Sequence, residues 1–581
     1  MGTISDKLMR IINTKEDIRQ ALISKGYDVP TSIPFKEYAK MILDLPCKVD
    51  SFPDIEGIVA RYSASGLTNE QMAANPVWVD KTGNGHDLQL KNFVWKEGSG
   101  ISDVYPGALV FDGVNDYGVC DNFPILTKEK GYTVVALRQW IEEKNSITAL
   151  VSNSKNWNRD GAFVFEYNNL ENNYPNLEIS FGSNTNLGRE KSSFTYQTSK
   201  LYNGKEIKFG EFLGSDKLIV AKVNENLSPC SNVAIWELVF LDHDATEEEL
   251  TKIKDYFVKT YPWLFPDQAW TVVGKTNEDE DRATIANITG NGNNLVLSNF
   301  GFAEGSGYGL YAKNYAGGRW VQSTDRADLT WTSYSVNITS VKVASTQLYY
   351  QSYPEQPSFT VPSYKIKVYG LKDGQTLSYK QVTSEGQQIY KISEDGTYTL
   401  PSFLFKANGD WYGFTLDKIQ ESCDITIEQI PEYEGYLVTD GVDDKITSST
   451  FEMGNDWTVI GDWELINTGK NDNAGIVKFD SIVIYNYNPI LINIKNGRNI
   501  LIPDQNTVNA ICSDGRIYSK DWKESIYNEE TESTSKNFLT IGYSGNTYTK
   551  IAFKNLAIYL TVLSREDCIK AYNYLQTLKA K

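Results

Sequence analysis

The sequence is poor in the residue types from which catalytic and metal sites are most often built. Its 581 residues contain only two histidines, His86 and His243, and the neighbours of neither indicate a catalytic triad or a metal site. The six cysteines are widely spaced and form no CxxC pair, which favours reduced, buried thiols over a disulfide framework. The sequence therefore predicts loop histidines and structural cysteines, and no enzyme active site.

Positive charge and long apolar runs are also scarce. There are 56 Lys and Arg residues against 74 Asp and Glu residues, so the net charge is −18, and without a basic cluster we expect no nucleic-acid partner. No apolar run approaches the roughly 20 residues of a membrane span. The first residues, MGTISDKLMRIINTKED, lack the apolar stretch of a secretory signal. We therefore expect neither membrane insertion nor export by a signal peptide.

One stretch of the sequence occurs twice. TGNGHDLQLKNFVWKEGSG (82–100) returns as TGNGNNLVLSNFGFAEGSG (289–307), with 12 of 19 positions identical. GALVFDGVNDYG later returns as GYLVTDGVDDKI, and NVAIW (232–236) returns as NLAIY (555–559), followed in both places by a helical pattern. Segments that recur in the same order indicate a duplicated domain. Because 13% of the residues are aromatic, β-structure and binding surfaces are both favoured.

The two copies differ in spacing at one place. Gly100 and Asp112 are 12 residues apart in the first copy, whereas Gly307 and Asp440 are 133 residues apart in the second. About 120 extra residues therefore interrupt the second copy, as when a domain is inserted into a surface loop. Alternating patterns such as YKIKVYGL predict a small immunoglobulin-like β-sandwich there. The expected domains are 1–47 (helical), 48–266 (first copy), 267–324 with 432–581 (second copy) and 325–431 (insert).

Residues 1–47 have the pattern of three short helices. Their apolar side chains recur at helical spacing, and a core this small does not stand alone comfortably. Two interpretations remain open: a bundle folded onto the next domain, or an anchor that docks on another protein or on copies of itself. The docking residues would be Leu8, Ile11, Ile12, Ile18, Leu22, Tyr38, Met41, Ile42 and Leu45.

The duplicated segments resemble laminin-G-like and concanavalin-A-like lectin domains. The resemblance rests on DKTGNGHDLQLKNF, LVFDGVNDY and VAIWELVFLDHDATEEELTKIKDYF. It implies two antiparallel sheets packed face to face, with a late strand followed by a short helix. The expected fold class is mainly β: two tandem concanavalin-A-like (laminin-G-like) jelly-roll sandwiches, the second interrupted by a small β-sandwich, behind a short α-helical anchor.

The first residues, MGTISDKLMRIINTKEDIRQALISKGYDVPTSIPFKEYAKMI, resemble a leader on virion proteins of bacteriophages of gut Bacteroidales, including crAss-like phages. This implies a structural protein of the virion surface, made in the host cytoplasm and mounted on capsid or tail proteins through residues 1–47. A head fibre or capsid decoration is expected, as a trimer or dimer that displays lectin-like domains to host or mucosal glycans. The alternatives are a tail fibre, a bacterial surface glycan-binding protein, a depolymerase, or a purely architectural role.

Glycan binding is the activity that the lectin resemblance implies. Trp157 lies in a polar loop with Asn158 and Asp160, and its ring is the best candidate to stack on a sugar. Trp95 is matched by Phe302 in the second copy, which favours packing there. The E-x-D-x-x-E pattern of some glucanases does not occur, and the pair of carboxylates in DWELI (462–466) has no third partner in the sequence.

An acidic turn recurs in both copies and is a candidate Ca²⁺ site. Oxygen-rich turns can hold this ion, although D-G-V-x-D is also a tight turn in which Asp and Gly serve the backbone. The turn interpretation is the favoured one, and no other cofactor is expected. The residues are Asp112, Asn115 and Asp116 in the first copy and Asp440, Asp443 and Asp444 in the second.

Overall fold

The computed structural model describes Lys15, Ile18 and Arg19, which are helical, and most of 52–580. The gaps are 128, 143–147, 154–163, 167–191, 207–214, 227–228, 318, 323–324, 352–356, 373, 407–408, 419–421, 467–473, 480–481, 487–489, 495–497, 503–507, 527–535, 538 and 545–546. The chain is mainly β, with 45% strand and 9% helix, as predicted. Among the described residues, no helix is long and apolar enough to cross a membrane. Of the predicted docking residues only Ile18 is described; Leu8, Ile11, Ile12, Leu22, Tyr38, Met41, Ile42 and Leu45 lie outside.

The chain divides into two compact units, the smaller being Met1–Glu56 with Thr246–Lys259. Its described helix is Glu247–Thr260. Thr246 and Glu249 form a capping box, because the Glu249 N–H donates to Thr246 Oγ1 at 3.3 Å and the Thr246 N–H donates to Glu249 Oε2 at 2.8 Å. Phe52 packs edge-on against Tyr256 in the same unit.

The larger unit begins with jelly roll 1, which has two antiparallel sheets. The short helix Asn69–Ala74, capped by Thr68, lies in the chain between the strands Ile58–Ser63 and Val77–Trp78. The first sheet runs Lys205–Glu206, Leu201–Tyr202, Phe194–Thr198, Thr133–Glu142, Asn232–Leu241, Leu109–Asp112 and Gly100–Ile101, with Ile58–Ser63 also on Asn232–Leu241. The second runs Val77–Trp78, Leu88–Lys91, Tyr117–Cys120, Leu218–Val220, Val151–Ser152 and Val164–Phe165.

Jelly roll 2 repeats the strand order of both sheets and extends the second sheet. Its first sheet runs Glu524–Ile526, Arg516–Ser519, Val508–Cys512, Thr458–Leu465, Ile551–Tyr559, Glu432–Val438 and Gly307–Leu310, with Gln268–Thr271 also on Ile551–Tyr559. The second runs Thr284–Ile285, Leu295–Ser298, Lys445–Ser448, Thr540–Ile541, Ala474–Phe479, Ile482–Asn486, Ile490–Ile494 and Arg498–Ile502, two strands more than in jelly roll 1. Short pairs complete it: Phe451–Glu452 with Lys536–Asn537, and Tyr543–Ser544 with Thr547–Tyr548. The helix Arg565–Gln576 follows its central strand.

The registers correct one match made on sequence. The central strand of jelly roll 1 has a bulge at Trp236, and that of jelly roll 2 has its bulge at Lys554. Aligning the bulges pairs NVAIW (232–236) with KIAFK (550–554), so the predicted match of NVAIW with NLAIY is wrong. The error arose because both halves of this strand are apolar, and a five-letter apolar pattern fits either half.

The repeated sequence is explained by backbone contacts that both copies need. Asn69 Oδ1 accepts from the Ile101 N–H at 2.8 Å, and Asn277 Oδ1 accepts from the Tyr308 N–H at 2.7 Å. The glycine before each partner has a positive φ, 145° at Gly100 and 134° at Gly307. A Cβ atom there would lie 2.4 or 2.5 Å from the asparagine oxygen, so only glycine fits.

The insert is a sandwich of two five-stranded sheets. One runs Trp320–Gln322, Thr346–Gln351, Trp411–Leu416, Leu377–Thr383 and Gly386–Ile392; the other runs Ala327–Trp331, Ser335–Val341, Ile425–Ile430, Tyr364–Tyr369 and Gly396–Leu400, and Phe359–Val361 pairs with Phe403–Phe405. Since Trp320–Gln322 belongs to this sandwich, the insert begins before residue 325. It replaces the hairpin that joins Gly100–Ile101 to Leu109–Asp112 in jelly roll 1.

The ends of the insert are fastened together where they leave jelly roll 2. The Lys313 N–H donates to Gln429 Oε1 at 3.0 Å, and Gln429 Nε2 donates back to the Lys313 carbonyl at 2.8 Å. The Lys313 side chain is 3% exposed and its Nζ lies 3.5 Å from Glu304 Oε1. Paired loop ends are what a tolerated insertion requires.

The C-terminal helix links the two jelly rolls. Tyr574 Oη lies 2.9 Å from Ser193 Oγ, and its ring is edge-on to Trp236 at 6.5 Å. Gln139 Nε2 donates to Thr577 Oγ1 at 3.0 Å. The outer surface of the first sheet of jelly roll 1 is therefore used for docking on jelly roll 2.

Candidate functional site

The acidic turns are held by hydrogen bonds to their own backbone. Asp112 Oδ1 accepts from the three N–H groups of residues 114–116 at 2.7 to 3.2 Å, and Asp116 Oδ2 accepts from the Asp112 N–H at 3.1 Å. Asp440 and Asp444 repeat this pattern at 2.7 to 3.4 Å. These contacts support the turn interpretation in both copies.

In the second turn, some carboxylate oxygens are not used in hydrogen bonds to the backbone and could hold a cation. Asp440, Asp443 and Asp444 each offer one oxygen within 4.8 Å of the others. Asp444 is buried, and its Oδ1 makes no well-formed hydrogen bond within the described residues, although the Ser306 hydroxyl interacts with the carboxyl. In jelly roll 1 Asn115 replaces Asp443, which removes one charge. Ca²⁺ prefers such hard oxygen ligands, so jelly roll 2 offers the better set.

Burial also changes the ionisation of these turns. It raises the pKa of Asp116 to about 6 and that of Asp444 to about 7. Removal from water penalises the charged form of a carboxyl, and the neighbouring Asp112 or Asp440 carboxylate adds to the effect.

The aromatic and histidine candidates are placed as follows. Trp157, Asn158 and Asp160 lie outside the described residues. Trp95 stacks on Phe93 at 4.8 Å, and Phe302 stacks on Tyr308 at 6.0 Å. Both rings are partly buried against their cores, which agrees with packing.

The two histidines make ordinary contacts. His86 faces Phe123 with ring centroids 5.7 Å apart. His243 Nδ1 lies 3.3 Å from Asp242 Oδ1. Among the described residues, neither belongs to a group that could hold a metal ion.

The first sheet of jelly roll 2 carries a polar and aromatic cluster on its outer surface. Alternation along Thr458–Leu465 directs Val459 and Trp463 into the core, so Asp462 and Glu464 face outward. Lys554 is the bulge residue of the adjacent strand, Ile551–Tyr559. Tyr436 lies on the next strand, Glu432–Val438, where it faces outward because its neighbour Leu437 is in the core. Tyr572 reaches the cluster from the C-terminal helix. We name this group the Asp462 cluster: Tyr433, Tyr436, Asp462, Glu464, Lys554 and Tyr572.

Asp462 is the centre of the cluster. The Tyr436 hydroxyl lies 3.3 and 3.4 Å from its two carboxylate oxygens, and the Tyr572 hydroxyl also interacts with it. Lys554 Nζ lies 3.9 Å from Asp462 Oδ2 and donates to Gln576 Oε1 at 2.8 Å. The Asp462 side chain is 13% exposed. A carboxylate has about four acceptor sites, so Asp462 can accept further hydrogen bonds.

Aromatic rings surround this carboxylate. Tyr433 meets Tyr436 edge-on with centroids 6.4 Å apart, and Lys554 Nζ lies 5.5 Å from the centroid of the Tyr436 ring. Tyr433 has a positive φ of 55°, which is unusual for a bulky residue. These tyrosines are half-buried, so each keeps part of its ring accessible.

The tyrosines stay protonated and act as donors. Burial first, and then the Asp462 carboxylate, raises the pKa of Tyr436 and of Tyr572 well above the usual value. Burial and the Glu464 carboxylate raise the pKa of Tyr433. The cluster thus presents hydroxyl donors, carboxylate acceptors and an ammonium donor side by side.

Jelly roll 1 has no counterpart of this cluster at the matching positions. The registers place Ala108, Leu137 and Trp236 where jelly roll 2 has Tyr436, Asp462 and Lys554. All three are fully buried, and Trp236 faces Tyr574 of the C-terminal helix.

Sequence reasoning missed most of the Asp462 cluster. The motif DWELI showed the two carboxylates, but their partners lie on other strands and on a helix far along the chain. The substitution of Leu137 by Asp462 between matched strands was the available signal. This substitution is visible in the sequence, where YTVVAL (132–137) aligns with WTVIGD (457–462).

No family model matches this sequence, and no curated protein matches it. Solved structures resemble it weakly. A Trypanosoma rangeli sialidase mutant is 13% identical over 35% of this chain and 33% of its own, with a TM-score of 0.24. The ligand-binding domain of botulinum neurotoxin serotype D is 9% identical over 88% of this chain and 97% of its own, with a TM-score of 0.24.

The tandem CBM22 domains of Paenibacillus barcinonensis Xyn10C are 8% identical over 65% of this chain and 97% of theirs, with a TM-score of 0.16. The chain spans only about a third of the length of the first sialidase structures. All these TM-scores lie below 0.5.

Proposed function

We propose that this chain is a non-enzymatic adhesion protein that binds uncharged glycans through the Asp462 cluster. The observation that carries the proposal is the partly buried network of Asp462, Tyr436, Tyr572 and Lys554 on the outer surface of jelly roll 2. Sugar rings stack on aromatic faces, and their hydroxyls bond to carboxylate and ammonium groups at once. Asp462 and Glu464 would repel anionic sugars, which favours uncharged ones.

The setting that we propose for this activity is a bacteriophage particle. The resemblance of the first residues to a virion leader supports a head fibre or capsid decoration, mounted through residues 1–47 and facing host or mucosal glycans. A tail fibre and a bacterial surface glycan-binding protein are the alternatives. Several copies on one particle would let weak single sites hold firmly.

The test of glycan binding compares two matched carboxylate variants of the full-length protein. Asp328 in the insert resembles Asp462, since it pairs with Lys342 Nζ and accepts from Ser340 Oγ, but it lies outside the cluster. On an array of neutral oligosaccharides, Asp462→Asn should weaken binding at least about tenfold, the cost of a charged hydrogen bond. Asp328→Asn should leave it unchanged.

Two outcomes would contradict the proposal. Equal losses in both variants would mean that the binding surface is elsewhere. No binding of any neutral glycan by the wild-type protein would favour a purely architectural role. A reducing-sugar assay on host capsule would reveal a depolymerase.

The anchor is tested separately by light scattering. The full-length protein should be a dimer or trimer, and a version without residues 1–47 should be a monomer. If both are monomers, self-association through residues 1–47 is wrong, and docking on another virion protein would be the remaining role.

A further inference from the structure

Two buried thiols meet at the base of the C-terminal helix. Cys512 ends the strand Val508–Cys512, and Cys568 lies in the first turn of the helix Arg565–Gln576. Both side chains are fully buried. The Cys568 thiol donates a hydrogen bond to the Cys512 sulfur, so two cysteines 56 positions apart in sequence are in direct contact.

Thr458 fixes the strand and the start of the helix around this pair. It is the register partner of Cys512, and its Oγ1 lies 3.8 Å from Cys512 Sγ. The same hydroxyl accepts from the Leu563 N–H and donates to the Thr561 carbonyl, both at 2.9 Å. The helix begins at Arg565, so the Thr458 side chain connects the strand partner of Cys512 to the segment that leads into the helix of Cys568.

The surroundings of Cys512 favour its thiolate. The Cys568 thiol, the Thr458 hydroxyl and the Arg516 guanidinium together lower the pKa of Cys512. The same contact raises the pKa of Cys568. The thiolate is the nucleophile in cysteine oxidation. The Arg516 guanidinium, which donates to the Leu563 carbonyl at 2.9 Å next to Thr458, is the cation available to stabilise a thiolate at Cys512.

We propose that Cys512 and Cys568 close to a disulfide when the protein meets hydrogen peroxide. The Cys512 thiolate attacks one peroxide oxygen and the O–O bond breaks; hydroxide leaves and takes up a proton, which gives a sulfenic acid and water. The Cys568 sulfur then attacks the Cys512 sulfur, the S–O bond breaks, and a second water leaves with the Cys568 proton. Two thiols lose two electrons, and one peroxide becomes two waters.

The disulfide would tie the C-terminal helix covalently to the sheet. That helix supplies Tyr572 to the Asp462 cluster and Tyr574 to the contact with Ser193. Oxidation would therefore fasten both the cluster and the junction between the jelly rolls. This inference is independent of the proposed function, because it concerns only the thiols and the helix.

The test treats the full-length protein with a small excess of hydrogen peroxide. After unfolding and alkylation, peptide mapping without reductant should find Cys512 joined to Cys568, with two thiols fewer per chain. The melting temperature should rise by several degrees relative to the reduced protein, because the bond closes a long loop. Cys120→Ser, a buried cysteine in jelly roll 1, is the control and should keep both effects.

Either single variant, Cys512→Ser or Cys568→Ser, should remove the cross-link and the rise in melting temperature. The proposal is overturned if the wild-type protein keeps both thiols alkylatable, or if either pairs with a different cysteine. It is equally overturned if Cys512 goes on to sulfinic acid with Cys568 still reduced. Peptide mapping reads the wild-type protein directly, so a variant that fails to fold does not obscure the result.

Discussion

The two jelly rolls share every strand of their first sheets, yet matched core positions hold a charged side chain in one and an aromatic side chain in the other. Inside jelly roll 1, Arg138 pairs with Glu166, and both side chains are buried. The matching position in jelly roll 2 is Trp463, which is 2% exposed. Topology and turns are therefore held constant, while the interior accepts either a charged pair or an aromatic ring.

The buried ion pair of Arg138 and Glu166 needs several hydrogen-bond partners. Arg138 Nε donates to Glu166 Oε2 at 2.7 Å, and Trp140 Nε1 and the Tyr202 hydroxyl also donate to this carboxylate, at 2.7 and 3.0 Å. Burial alone would raise the pKa of Glu166, but the Arg138 guanidinium outweighs it and holds the pKa below its usual value. A buried ion pair is tolerated only when it is satisfied in this way.

On the outer surfaces of the first sheets, jelly roll 1 is the apolar copy and jelly roll 2 is the polar one. Jelly roll 1 has buried apolar residues where it meets the C-terminal helix, and jelly roll 2 has the Asp462 cluster. Matched positions therefore carry a docking surface in jelly roll 1 and the Asp462 cluster in jelly roll 2.

Breaking the ion pair should give the largest effect. Arg138→Met leaves the Glu166 carboxylate buried without its cation, and should lower the free energy of unfolding of jelly roll 1 by about 3–5 kcal/mol. Urea denaturation followed by hydrogen exchange of jelly roll 1 peptides measures it. Lys342→Met, which breaks an exposed pair with Asp328, is the control and should cost about 0–1 kcal/mol. Similar costs in the two variants would refute the buried-pair account.

The Trp463 ring in the core of jelly roll 2 fits only because residue 461 is a glycine. A Cβ atom on Gly461 would lie 1.7 Å from the Trp463 ring, whereas the matching residue in jelly roll 1 is Ala136. Gly461→Ala should therefore destabilise jelly roll 2 by about 1–3 kcal/mol through overpacking. The reverse change, Ala136→Gly, should cost about 0.5–1 kcal/mol in chain entropy. An unchanged urea midpoint for Gly461→Ala would show that the ring can move away.

The smallest effect is a difference in pH dependence. The pKa of each buried turn carboxyl is raised above its unfolded value near 3.8, to about 7 at Asp444 and about 6 at Asp116. Their stabilisation is complete below pH 4 and is lost as pH rises, up to 7 in jelly roll 2 and up to 6 in jelly roll 1. The loss should be larger in jelly roll 2 than in jelly roll 1, because the pKa is raised further at Asp444 than at Asp116.

Urea midpoints between pH 4 and pH 8 measure this difference. Asp444→Asn should remove the pH dependence of jelly roll 2 and leave that of jelly roll 1. A cation in the turn would offset the loss, so CaCl2 should raise the midpoint of jelly roll 2 at pH 8 more than MgCl2 does. An identical pH profile for both copies would contradict the assigned shifts.

The sequence was sufficient for the mainly β class, the duplication and the presence of an insert. These depend on local turn chemistry, such as Gly100 and Gly307, which any copy of the fold must keep. The register of the central strand was not predictable, because its apolar residues fit two alignments. The Asp462 cluster was not predictable either, since its members become neighbours only through pairings between distant strands.

The most direct test of the central claim is hydrogen exchange of the full-length protein with and without neutral oligosaccharides released from mucin. The account predicts slower exchange in 432–438, 458–465 and 551–559, which carry the cluster. It predicts no change in the matching strands of jelly roll 1, 107–112, 133–142 and 232–241. Equal protection in both copies, or protection confined to jelly roll 1, would contradict the division of roles between the two jelly rolls.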